Sequence, residues 1–202
     1  QSSTSFDWLA YTAPSMAIVS LMFTVAAGGR SILAERQWGT LPRLLVTPST
    51  PLQVLAGKAL GIFLTGTAQL TILITASWLL FRIQWGDWTA VAILVASLAA
   101  AATGWGLLLA AFARSVGEAG AAGNALALIF AAAAGNFIPR MNLPEWLQTA
   151  SFISPNAWGL EGFTLLSQGG KLLDILPFIF GLLLMGAALM LIATYVFRRQ
   201  YR

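Results

Sequence analysis

Apolar residues in this chain come in long blocks, not in alternating stripes. Five blocks are nearly continuous, at about 13–33, 55–81, 88–113, 119–138 and 175–197. A bilayer core is crossed by about 20 mostly apolar residues in a helix. Each block therefore predicts a spanning helix, and together they predict an all-α fold, a polytopic transmembrane helix bundle of five spans. The third and fourth blocks are rich in alanine, as in "VASLAAAATG" and "IFAAAAGNF". They read as helices packed inside the bundle, away from lipid. Two segments break the pattern strongly. One is 34–54, charged and rich in proline. The other is 139–174, apolar but interrupted by Pro139, Pro144 and Pro155.

Composition sharpens this picture. Of 202 residues, 58% are hydrophobic and 9% charged, against roughly a quarter charged in a soluble domain. Mean hydropathy is +0.78. A water-soluble chain this short could not hide so much apolar surface. The net charge of +4 forms no basic face of the kind that binds nucleic acid, and serves orientation instead. One side of the spans receives Arg30, Arg36, Arg43, Lys58, Arg114, Arg198, Arg199 and Arg202; the other receives Arg82, Arg140 and Lys171. The basic side is expected to be cytoplasmic, in a plasma (inner) membrane, with the chain's N-terminus outside and its C-terminus inside. Trp85 and Trp88 are then expected in the outer interfacial belt. Five spans with an exported start predict at least one further span upstream, six in the full-length protein.

The chemistry available is narrow. There is no Cys and no His, which removes disulfides, thiol catalysis and most zinc sites. No acidic residue lies well inside a span, which argues against proton pumps and voltage sensors, machines that normally carry intramembrane ionisable residues. "LAGKAL" around Lys58 lacks the loop and hydroxyl of a nucleotide-binding P-loop. The polar groups within the spans are neutral, chiefly Thr and Ser with Gln69, Asn124 and Asn136. They read either as bonds between helices or as a translocation path, with Gln69, Asn124 and Asn136 as its candidates. Gly57 and Gly61, and Gly117, Gly120 and Gly123, allow close helix approach, within the chain or between two copies.

The 34–54 segment, "AERQWGTLPRLLVTPSTPLQV", reads as a helix extending past the membrane and stopping at Gly39. Thr40 then caps a second short helix with Pro42 in its first turn. Pro48 and Pro51 end that helix. It presents Glu35, Arg36, Trp38, Arg43 and Leu44, either to lipid phosphates or to a cytoplasmic partner.

The stretch Glu35 to Lys58, "ERQWGTLPRLLVTPSTPLQVLAGK", resembles the signature of ABC type-2 permeases, membrane subunits of ATP-binding-cassette exporters. Glu35, Arg36, Gly39, Thr40, Leu41, Arg43, Leu44, Leu45, Val46, Thr47, Pro48, Pro51, Leu52, Gly57 and Lys58 match it. Gln37 and Pro42 stand where that family carries glutamates, so two negative charges are missing from the presumed ATPase contact. "FIPRMNLPEWLQTASFISPNAWGLEGF", Phe137 to Phe163, is similar to the family's stretch between its last two spans, which dips back into the outer leaflet as re-entrant helices.

The resemblance implies a set of roles. Glu35, Arg36, Trp38, Gly39, Thr40, Arg43 and Leu44 would form the ATPase-coupling segment. Trp146, Phe152, Trp158 and Glu161 would form an outer gate, or else a simple interfacial anchor. The partners would be a cytoplasmic ABC ATPase dimer, which binds ATP and Mg, and a second permease subunit, identical or different. The chain itself would bind no cofactor and perform no covalent chemistry. The expected function is export of a hydrophobic or amphipathic solute such as a drug, lipid or lipid-linked glycan. Sodium export and a non-enzymatic scaffold are the alternatives. A surface enzyme would rest on Glu161 with Asp174, a weak pair.

Overall fold

Each apolar block folds as one helix, and most run past the limits the pattern suggests. The computed structural model of the protein describes residues 7–38 and 51–200. Seven α-helices follow in order: α1 (Trp8–Gln37), α2 (Pro51–Phe81), α3 (Trp88–Phe112), α4 (Val116–Ala134), α5 (Glu145–Ala150), α6 (Pro155–Ser167) and α7 (Leu172–Gln200). Short 3₁₀ turns at Arg140–Asn142 and Ser151–Ile153 flank α5. Helices α1, α2, α3, α4 and α7 are long and apolar enough to cross a membrane. The bundle has a basic end, where α1 stops and α2 starts, and a broken end, where residues 135–171 fold as short helices.

Capping explains the longer helices. The Asp7 carboxylate accepts the Leu9 and Ala10 N–H groups, so α1 starts one turn before its apolar block. Asp87 does the same for α3 through Thr89 and Ala90. Ser115 accepts the Glu118 N–H, and Glu118 in turn accepts the Arg114 N–H. That reciprocal pair starts α4. Pro51 was expected to end a short helix; it opens α2 instead, at the position where its missing N–H costs nothing. Gly135 closes α4 at φ 90°, a left-handed conformation that favours glycine.

Helix α3 is the centre, with two-thirds of its apolar window buried. It packs α1 on one side and α7 on another. A Cβ at Gly106 would fall 2.6 Å from the Val25 carbonyl oxygen on α1, and one at Gly104 would fall 2.9 Å from Leu189 Cβ on α7. Helix α4 departs from expectation, since only one-third of its window is buried. Gly120, Gly123, Ala127, Phe130 and Ala131 face inward, while Ala121, Asn124, Ala125, Leu128 and Ile129 are exposed. Alanine on every side of the helix leaves the pattern without a direction. Trp85 also departs from its expected place in an interfacial belt. It is 1% exposed, packs edge-on against Phe163 and donates to Ser77 Oγ at 3.2 Å. The 82–87 connection folds inward, with Arg82 and Gly86 at positive φ. Trp88 is exposed as expected, in an edge-on pair with Trp78.

The broken end is held by Arg140, which is 7% exposed. Its Nε pairs with Glu161 Oε1 at 2.7 Å. Nη1 donates to Ser151 Oγ at 2.9 Å and the Ala134 carbonyl at 3.3 Å, and Nη2 donates to the Gln148 carbonyl at 3.0 Å. The Tyr11 hydroxyl accepts the Arg140 N–H and donates to the Gly135 carbonyl. Asn136 donates to the Ser15 carbonyl and accepts from Asn156. Irregular backbone at membrane depth survives only when its polar groups are satisfied inside the protein. Here α1, α4, the 3₁₀ turns and α6 satisfy each other.

Three outcomes follow. Gly106→Ala pushes a methyl against a backbone carbonyl that cannot move aside, and is expected to lower the yield of monodisperse full-length protein sharply. Gly57→Ala, where a Cβ meets nothing within 4 Å, is expected to be neutral or to gain up to about 1 kcal/mol of helix propensity. Arg140→Leu leaves Glu161 without its cation and is expected to cost about 3 kcal/mol, read as a lower melting midpoint in detergent. An unchanged midpoint would mean the network does not hold this end.

Candidate functional site

The motif at the basic end is divided between described and undescribed residues. Gly39, Thr40, Arg43 and Leu44, and with them the expected second short helix, lie outside the described residues, as does the side chain of Arg36. The flanks are described. Helix α1 continues through Glu35 to Gln37, and Trp38 follows it in a turn, 77% exposed. Lys58, two turns into α2, forms an ion pair with Glu35 Oε1. The two helices that bracket residues 39–50 are thus joined by opposite charges. Sequence reasoning placed Glu35 toward a partner and Lys58 toward the membrane surface, and missed the pair. The available signal was that both sit at the same end of adjacent spans with opposite sign.

Beside this pair a groove of about 720 Å³ runs between α1 and α2. Thr24, Gly28 and Ser31 line one wall, and Gly57, Gly61 and Thr65 the other. Gly57 and Gly61 therefore do not serve contact between described helices of this chain; they open onto the groove. Gly120 and Gly123 do serve it. A Cβ at Gly123 would fall 2.8 Å from Ala26 Cβ on α1.

The three candidates for a translocation path are not brought together. Gln69 is half-buried and donates to Ser20 Oγ, joining α2 to α1. Asn136 is 3% exposed and committed to the polar network at the broken end. Asn124 is exposed midway along α4. The gate candidates divide differently. Phe152 and Glu161 meet Arg140, and Trp158 joins them through Phe152. Its guanidinium lies over the Phe152 ring at 4.9 Å. Trp158 stacks edge-on against Phe152 and donates to the Phe152 carbonyl at 2.6 Å. The Trp158 ring also lies on bare backbone at Gly181 of α7. Trp146 stands apart, 71% exposed on α5. Arg140 was not among the sequence-based candidates, although a lone Arg inside an apolar, proline-broken stretch was the signal for it.

No carboxylate cluster forms a reaction site. Glu161 is engaged by Arg140, and Asp174 accepts the Lys171 N–H at the start of α7. Among the described residues no group of His, Cys, Asp or Glu is arranged to hold a metal ion.

Comparison with known proteins agrees with this geometry. Residues 1–195 match the family described as ABC-2 family transporter protein. The chain is 31% identical to the linearmycin resistance permease protein LnrN of Bacillus subtilis over 88% of its own length and 46% of that protein's. It is 26% identical to the probable multidrug ABC transporter permease YbhR of Escherichia coli K12, over 75% of its own length and 42% of that protein's. The chain thus spans about half the length of the curated relatives it matches. With five membrane-length helices and a match along nearly all its residues, the chain belongs to the ABC-2 transporter family.

Proposed function

We propose that this chain is the membrane-crossing part of an ATP-driven exporter for a hydrophobic or amphipathic solute. Its basic end would face the cytoplasm and the broken end would face out, in the plasma membrane. ATP and Mg would be bound by a separate ATPase dimer, and two permease subunits would pair around the solute path. Relatives named for linearmycin resistance and multidrug transport support an efflux role.

The observation that carries the reading is the Glu35–Lys58 pair. A force applied to residues 39–50 reaches α1 and α2 together, because their ends are tied. Helix α1 is continuous for 30 residues and is bonded at its far end, through Tyr11 and Ser15, to the Arg140 and Asn136 networks. Movement at the ATPase contact would therefore pass along α1 as a rigid-body shift and reach the cluster of Phe152, Trp158 and Glu161.

The test uses the full-length permease with its ATPase partner in lipid nanodiscs. Wild type is expected to co-purify with the ATPase, and Trp38→Ala combined with Arg43→Ala to lose it. If no ATPase co-purifies with wild type, the exporter reading has no motor and a scaffold role replaces it. Lys58→Glu alone is expected to lower solute-stimulated ATPase rate by about tenfold, the size of a typical coupling free energy. Glu35→Lys together with Lys58→Glu restores the pair with its signs reversed and is expected to recover most of that loss. Equal rates in all three proteins would exclude the pair from coupling.

A further inference from the structure

Charge at membrane depth is costly, and it persists where something answers it. Lys58 is answered by Glu35 and Arg140 by Glu161. Arg82, Arg114, Lys171 and Arg199 are exposed. Among the described cations Arg30 differs. It is only partly exposed, yet it has neither an ion pair nor a hydrogen bond among the described residues.

Its position makes this costly. Arg30 stands seven residues inside the end of α1, about 10 Å at the helical rise. The side chain reaches the neighbouring helix four residues in from that helix's start. It crosses to α4 and lies on Gly120. A Cβ there would fall 3.0 Å from Arg30 Cδ and 3.2 Å from Nη1. Bare backbone at Gly120 is what admits the guanidinium. Glu118, close by in α4, is exposed and its carboxylate accepts the Arg114 N–H. One turn beyond Gly120, Asn124 is exposed and makes no hydrogen bond among the described residues. By the helical period Asn124 falls on the side of α4 that carries Gly120, at its exposed edge.

We propose that Arg30 and Asn124 form an anion-binding site at the α1–α4 seam, which takes the phosphate or carboxylate head of an amphipathic molecule. The planar guanidinium fork fits either group with two parallel hydrogen bonds. The Asn124 carboxamide adds a neutral donor. The molecule's tail lies along apolar spans. That the occupant is cargo rests on the exporter reading; the binding itself does not.

Binding to the full-length permease tests this without ATP or ATPase, so its failure is separate from a failure of the exporter reading. Dodecyl phosphate and uncharged dodecanol are titrated against the protein in phosphatidylcholine nanodiscs by tryptophan fluorescence, with empty discs subtracted. Wild type is expected to prefer dodecyl phosphate. Arg30→Gln is expected to weaken that binding by about tenfold or more, the scale of a hydrogen bond to a charged group. Arg30→Lys keeps the charge but not the fork and is expected to retain only part of it, and dodecanol binding changes in neither. Gly120→Leu fills the cradle with the charge unchanged and is expected to give the same loss, so misfolding of one variant leaves the test standing. Repeating the titration in discs containing phosphatidylglycerol separates the sources. Competition identifies a lipid headgroup at the site, and unchanged affinity identifies a solute. Equal dodecyl phosphate affinity in wild type, Arg30→Gln and Gly120→Leu, or no preference over dodecanol in wild type, overturns the proposal.

Discussion

Close backbone approach around α3 is the constraint on which the rest of the bundle depends. In lipid, apolar helices gain little hydrophobic free energy by associating, so contact and packing must hold them. Gly106 lets α3 meet the Val25 carbonyl of α1, and Gly104 lets it meet α7 at Leu189. With α3 fixed between them, α1 and α7 have set positions. Helix α4 then closes on α1 through Ala26 and Gly123. The seam that carries Arg30 exists because both helices present small residues on either side of it.

The two ends solve the same electrostatic problem in different ways. At the broken end a guanidinium is enclosed, and its donors are spread over a carboxylate, a hydroxyl and two carbonyls. That arrangement fixes geometry, because each acceptor comes from a different turn or helix. At the basic end Lys58 and Glu35 remain about a quarter to a third exposed. Such a pair contributes little stability on its own, but it ties two helix ends. On the proposed function one end would hold a shape and the other would pass on a displacement, with α1 running between them.

The blocks of apolar residues made the five helices legible, and proline and glycine made the breaks legible. What the pattern lacked was direction. Pro51 was read as a stop because a proline ends a helix as readily as it opens one; only the residues after it decide. Trp85 was placed at an interface because tryptophan favours interfaces, but the short 82–87 stretch cannot show that Ser77 waits to accept its N–H. The alanine-rich fourth helix could not show its buried face, since small side chains surround it. Asn136 read either as a path residue or as a bond between helices, and the structure shows it bonded to Ser15 and Asn156. The ion pairs were not legible because partners 23 residues apart, Glu35 and Lys58, or 21 apart, Arg140 and Glu161, become neighbours only through packing.

Counting polar residues in the spans also overstates what a solute would meet. Thr65, Thr71, Ser97 and Thr103 each donate to the carbonyl four residues earlier in their own helix. Their hydrogens are spent locally, and what they present outward is mostly methyl, methylene and a weak acceptor. Gln69 is engaged with Ser20, and Asn136 with Ser15 and Asn156. The described spans thus offer long apolar walls with few unspent donors, among them Arg30, Asn124, Thr67 Oγ1 and Trp105 Nε1. Such a surface discriminates poorly among tails, since each methylene contributes under about 1 kcal/mol wherever it is buried. On the proposed reading, discrimination would fall instead on the head group, where one charged donor left empty or filled would change affinity far more than a change in tail length does.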